Sequence, residues 1–180
     1  MQKGLLLNKK GTKLIWAVPA KNKITVPDSV TSIADNALKA GKATSVYLGK
    51  KVKMIGKDAI AGKKITKVSI AKKNKSIAKQ GQCVYEKKSG KLLIAIAKKN
   101  VVKIGNKVKL ISEDASLCGS RQLKKLDIGA SVKTLQGAWG EFYRAGYVTT
   151  KVYFRSKNPP KLTQNNDKNY CYLPIFRDVY

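Results

Sequence analysis

The sequence predicts a repeat solenoid, mostly β, in which short strands and returning turns or short helical segments coil around a continuous core. Three observations carry this prediction. An apolar pattern recurs at intervals of a little over twenty residues, a longer apolar segment with a Lys-Lys and Gly centre occurs twice, and the glycines are scattered one per turn along the chain.

The first observation is a set of matched positions. Ile24, Val26, Val30, Ile33 and Ala37 are answered by Val46, Leu48, Val52, Ile55 and Ala59. They are answered again by Val102, Ile104, Val108, Ile111 and Ala115, and by Leu126, Ile128, Val132, Leu135 and Trp139. A weaker copy keeps Val68, Ile70 and Ile77, and a degenerate one keeps Val152 and Phe154 before Pro159 and Pro160 interrupt it. Repeats therefore start near 24, 46, 68, 102, 126 and 152, in steps of 22, 22, 34, 24 and 26 residues. Most of these steps fall in the leucine-rich window of about 20–29 residues.

The second observation explains the long step. The segment from Gly81 to Asn100 resembles the one from Gly4 to Asn22, with Lys87 and Lys88 before Gly90 standing where Lys9 and Lys10 precede Gly11. Two apolar runs around a polar, Gly-containing centre read as a β-hairpin. Hairpins are thus expected at about 4–19 and 81–97, inserted into the solenoid.

Within a unit, Val46 and Leu48 alternate with Tyr47, so the first pair faces inward along a strand and Tyr47 faces out. Val52, Ile55 and Ala59 follow at spacings of three and four, which suits a turn and a short helical segment returning over the same core. One strand and one turn bury little alone, so the units must stack, and a parallel strand ladder on one face follows. The length fits one domain over 1–180, with a closing segment at about 158–180.

Charge is the strongest compositional feature. There are 38 Lys and Arg against 10 Asp and Glu, a net +28 spread along the whole chain, and only Arg121, Arg144, Arg155 and Arg177 are arginine. Lysine, a hydrated point charge, suits a solvated face more than bidentate recognition. Cys83, Cys118 and Cys171 lie far apart, and the chain has no histidine, so neither a zinc site nor a disulfide framework is visible. Each cysteine reads as a small buried hydrophobe. Leu5, Leu6 and Leu7 run straight into Asn8, Lys9 and Lys10, too short an apolar run for a leader or a membrane span.

These residues resemble the BspA-like leucine-rich repeats, whose typical unit looks like the stretch from Ile24 to Ala37. The resemblance covers roughly Gly4 to Pro160, and the two hairpins are similar to those found between repeats in bacterial members. It implies a leucine-rich-repeat right-handed coil. Gly49, Gly105 and Gly129 stand where the family carries proline, and Ala37, Ala59 and Ala115 stand where an aromatic residue is usual, which implies a thinner core. The tail around Asn158 to Lys161, and Phe176 to Tyr180, resembles the closing segment of such domains, which ordinarily runs on further, so a piece of a longer protein is implied. The resemblance also implies an extracellular or cell-surface protein of a gut or oral bacterium, or of a parasite, used in adhesion, with its leader removed or outside this sequence.

Chemistry is sparse. Without histidine the usual general base is missing, and no phosphate-cradling glycine motif occurs. Glu113 and Asp114 are adjacent and Asp58 shares a repeat position with Asp114, where a turn or cap role is expected. No catalytic residue, metal or cofactor is expected, and the chain reads as a non-enzyme. The outward ladder is expected to be Thr25, Tyr47, Ser69, Lys103, Asp127 and Tyr153, flanked by Lys23, Ser45, Lys67, Lys125, Lys151 and Arg155. The candidate binding face is therefore Lys23, Thr25, Tyr47, Lys67, Lys103, Lys125, Lys151, Tyr153 and Arg155, a basic stripe with two tyrosines.

Two functions compete for that stripe. One is a secreted or surface adhesin-like module that recognises a protein or glycan on a host or neighbouring cell, without membrane insertion. The other is a basic polyanion binder of sulfated glycan, anionic wall polymer or nucleic acid, driven by the charge.

Overall fold

The computed structural model describes residues 4–18, 22–38, 42–62, 64–119, 123–137, 151–158 and 160–163. Over these residues the chain is a β-solenoid of about five turns that contains no helix. Trp139 and Cys171, with most of the expected closing segment, lie outside the described residues.

Strands β1 (Leu5–Leu7) and β2 (Lys13–Ala17) form the first antiparallel hairpin. One ladder then stacks β3 (Lys23–Thr25), β5 (Ser45–Leu48) and β7 (Lys67–Ile70) in parallel. A second ladder, on the return side of the coils, runs from β2 to β4 (Ser32–Ile33) and β6 (Met54–Ile55). Both ladders start afresh later in the chain. Strands β11 (Val101–Ile104), β14 (Lys125–Ile128) and β16 (Lys151–Phe154) form one, while β12 (Leu110–Ser112), β15 (Thr134–Gln136) and β17 (Lys161–Thr163) form the other.

Pairing follows the sequence period residue for residue. Ile24 pairs with Val46 and Val46 with Val68, while Val102 pairs with Leu126 and Leu126 with Val152. The alternation of side chains along a strand explains this, since a slip of one residue would turn every apolar side chain outward.

The return segments differ from the expected helical piece. Val52, Ile55 and Ala59 lie on a turn, on β6 and on a second turn. The amide of Val52 donates to the carbonyl of Gly49, as those of Val30, Val108 and Val132 do to Pro27, Gly105 and Gly129. Asn36 and Asp58 then adopt left-handed backbone, with φ of 55° and 51°, and this reversal tucks Ala37 and Ala59 fully inside. A spacing of three and four arises here from two turns around a two-residue strand, which leaves no room for a helical hydrogen-bond ladder.

Gly49 replaces the proline of the first unit for a local reason. A Cβ built on Gly49 would sit 2.5 Å from the Pro27 carbonyl oxygen, so the second coil can rest on the first only without a side chain there.

The second hairpin is a wall within the core. Strands β8 (Ile77–Gln80), β9 (Cys83–Glu86), β10 (Leu92–Ile96) and β13 (Ser116–Cys118) form one sheet in the order β13-β10-β9-β8. All five residues of β10 are buried. Val84, Leu93, Ile94, Ile96 and Cys118 join the apolar cluster of the earlier coils, whereas Cys83, Leu92, Ala95 and Leu117 join that of the later coils.

Candidate binding face

The ladder strands carry the expected outward residues in aligned rows. In the first ladder Lys23, Ser45 and Lys67 form one row, and Thr25, Tyr47 and Ser69 form the next. In the later ladder Val101, Lys125 and Lys151 form one row, and Lys103, Asp127 and Tyr153 form the next. Lys23, Thr25, Lys67, Lys103, Lys151 and Arg155 are exposed, while Tyr47, Lys125 and Tyr153 are half-buried.

The stripe is not a single hydrogen-bonded surface. Strand β7 ends the first ladder and β11 begins the second, because the chain between them builds the β8-β9-β10 wall. The edge of β11 is met by a side chain: Gln82 Nε2 donates to the carbonyls of Ile96 and Val101, each at 2.8 Å, and its Oε1 accepts from the Lys103 amide at 2.9 Å. Lys79 stands at the other side of this break, its ammonium donating to the Val68 carbonyl at 2.9 Å. Burial, with Lys98 and Lys67 nearby, holds Lys79 below the ordinary lysine value.

Both tyrosines are engaged by the lysine of the preceding coil. Lys125 Nζ lies 4.4 Å from the ring centroid of Tyr153, a close cation–π contact, and Lys23 Nζ lies 6.0 Å from that of Tyr47, at the outer limit of such contacts. Arg155 is committed to a fork with Asp127, from Nε to Oδ1 and from an Nη to Oδ2, both at 2.7 Å. That hydrogen bond from Arg155 holds the Asp127 carboxyl below its usual range against the opposing effect of burial, with the charges of Arg155, Lys125 and Lys103 adding to it. Of the two tyrosines, Tyr153 therefore has the more closely engaged ring.

The acidic residues set apart in the sequence serve structure. Lys57 pairs with Glu113 at 3.3 Å and Lys91 with Asp114 at 2.6 Å, bridging distant segments. Asp58 forms the buried left-handed turn described above. Among the described residues no group of three or more Cys, Asp or Glu gathers as metal ligands. Cys118 donates from Sγ to the Ile60 carbonyl, and burial pushes its thiol far up; burial likewise pushes the Cys83 thiol up to about 11.

Sequence reasoning missed Gln82 and Asn74. Asn74 occupies a valine position of the repeat, yet its Nδ2 donates to the Gly49 and Val52 carbonyls of the coil before, both at 2.9 Å. Ser131 makes the same bridge one ladder later, to the carbonyls of Gly105 and Val108. A polar residue at or beside the expected valine was the available signal.

Coils stacked in register, with a polar outer face and apolar walls, define a leucine-rich-type repeat solenoid, a class made up typically of non-enzymatic binding modules. Residues 17–139 match six copies of the BspA type leucine rich repeat region, and the chain belongs to that family, which is typically associated with bacterial surfaces. No curated protein and no solved structure matches the chain. Among the described residues no helix is long and apolar enough to cross a membrane.

Proposed function

We propose that the chain is a non-enzymatic, adhesin-like binding module, secreted or held at a cell surface, that recognises a protein or glycan through the first ladder face. The observation that carries this reading is the aligned outer row of Thr25, Tyr47 and Ser69 beside Lys23, Ser45 and Lys67. An aromatic ring among short hydroxyl side chains offers stacking and hydrogen bonding, and the flanking lysines attract acidic partners.

A second reading rests on the later ladder, where Lys125 and Lys151 pair directly beside Lys103. Such a cationic row suits a sulfated glycan, an anionic wall polymer or a nucleic acid, with binding that falls steeply as salt rises.

A panel of fibronectin, uncharged glycans, heparin, anionic wall polymer and duplex DNA, measured at low and physiological salt, separates the two. Saturable binding of a protein or glycan at physiological salt, weakened by Tyr47→Ala, supports the first reading. Binding confined to polyanions and lost on adding salt sinks it in favour of the second.

A further inference from the structure

The strand pairings of the two hairpins correspond at an interval of 78. Leu5, Leu6 and Leu7 pair with Ala17, Trp16 and Leu14, with Ile15 left in a bulge; Cys83, Val84 and Tyr85 pair with Ala95, Ile94 and Leu92, with Leu93 left in the same bulge. The Val18 amide donates to the Gly4 carbonyl as the Ile96 amide donates to that of Gln82, both at 2.8 Å.

One face of each hairpin is treated alike and the other is not. Leu5, Leu14 and Ala17 are buried in the coils that follow, as Cys83, Leu92 and Ala95 are in theirs. On the opposite face, Val84, Leu93, Ile94 and Ile96 are at most 8% exposed and share a cluster with Ile60, Ile65, Val68 and Ile77 of the preceding coils. Their counterparts Leu6, Ile15, Trp16 and Val18 are 45%, 41%, 38% and 56% exposed. Of the five large hydrophobic side chains exposed among the described residues, these are four. A contiguous apolar patch of this kind marks an interaction surface.

We propose that the outer face of the first hairpin is a docking seat for the aliphatic end of a further β-coil of the same repeat type. The occupant is read from the molecule itself, because the equivalent face of the second hairpin is covered by such coils. A second copy of the whole chain is a poorer occupant, since it sets +28 against +28, whereas the coils of residues 23–81, with 14 lysines and 3 aspartates, bring a net +11. The seat is distinct from the ladder face and stands whether or not that face binds a partner.

The test repeats residues 23–81 ahead of Gly4 in the full chain, so that Gly81 leads directly into Gly4 as it leads into Gln82 in the parent. A Trp139→Phe background leaves Trp16 as the sole tryptophan. The expected result is a blue shift of Trp16 emission, a severalfold fall in its quenching by acrylamide, and one cooperative unfolding transition. Adding Ile15→Lys and Val18→Lys should restore the quenching of the parent. Trp16 as accessible as in the parent overturns the proposal, whether the added coils fold apart or stay unfolded, because the same residues fold on the equivalent face elsewhere in the molecule. Concentration-dependent dimerisation of the parent, abolished by Ile15→Lys, assigns the seat to a second copy and overturns it equally.

Discussion

Asn74 stands in the third coil where Val30, Val52, Val108 and Val132 stand in others, and it is 3% exposed. Besides donating to Gly49 and Val52, its Oδ1 accepts from the amides of Ser76 and Ile77 at 2.9 and 3.0 Å. Asn74→Ala removes these four bonds. At about 1 kcal/mol net per bond the loss is about 4 kcal/mol. At about 2–4 °C per kcal/mol for a chain of this size, Tm should fall by about 8–16 °C. Asn74→Val is the sharper variant, because it restores the residue of the other coils and fills much the same volume. Its apolar gain of roughly 1.5–2 kcal/mol recovers at most half of the deficit, leaving it about 2 kcal/mol below the parent. Urea unfolding followed by far-UV circular dichroism reads both, with the m-value showing whether the native state stays compact. Asn74→Val as stable as the parent, or more so, would refute the reasoning and show that burial alone, without the polar bridge, holds the third coil on the second.

Gly49→Ala should lose about 1–3 kcal/mol in the same urea assay, since the new methyl meets the Pro27 backbone and the second coil must shift; an unchanged midpoint would mean that the coils separate freely there. In a Cys171→Ser background, Cys83 and Cys118 should resist a thiol reagent at pH 8 until urea is added, and labelling of the native chain would contradict their burial. Because burial raises both folded thiols, the stability they contribute is present below the unfolded thiol value of 9.0 and is lost as pH rises, for Cys83 through about 11. Adding salt at neutral pH should raise Tm by screening the repulsion of +28, while weakening any polyanion complex; a Tm insensitive to salt would mean that lysine repulsion is already relieved by spacing.

Much of the fold was legible because one physical constraint repeats. Each coil must place an apolar pair on the same two ladder positions, so Ile24, Val46, Val68, Val102, Leu126 and Val152 announce their strands by interval alone. The hairpins were legible from their turns. The return path was not, because spacings of three and four belong equally to a helix and to the turn, short strand and left-handed residue seen at Asn36 and Asp58. The break in the ladder was hidden too, since it depends on where the Gln82 side-chain amide reaches to meet the edge of β11. Period could list the outward residues Tyr47 and Tyr153; it could not show that Lys125 already lies over one ring more closely than Lys23 does over the other.

The contrast between the two kinds of strand bears on where recognition happens. Strand β14 alternates Lys125, Leu126, Asp127 and Ile128, and such strands bury one face while displaying polar groups on the other. Strand β10 runs Leu92, Leu93, Ile94, Ala95 and Ile96 without a polar interruption, and it is buried on both faces because coils press on it from both sides. A continuous apolar run in this molecule therefore means a wall, and an alternating run means a surface. Strand β2 reads Leu14, Ile15, Trp16 and Ala17, the pattern of a wall, yet only one of its faces is covered. The ladder strands thus offer charge and hydroxyl groups to a partner along the side of the coil, while β2 offers an aliphatic and aromatic plane at its end. Polar side-face contacts are tuned by salt and the apolar end-face contact is not, so a partner's salt dependence reports which of the two it has found.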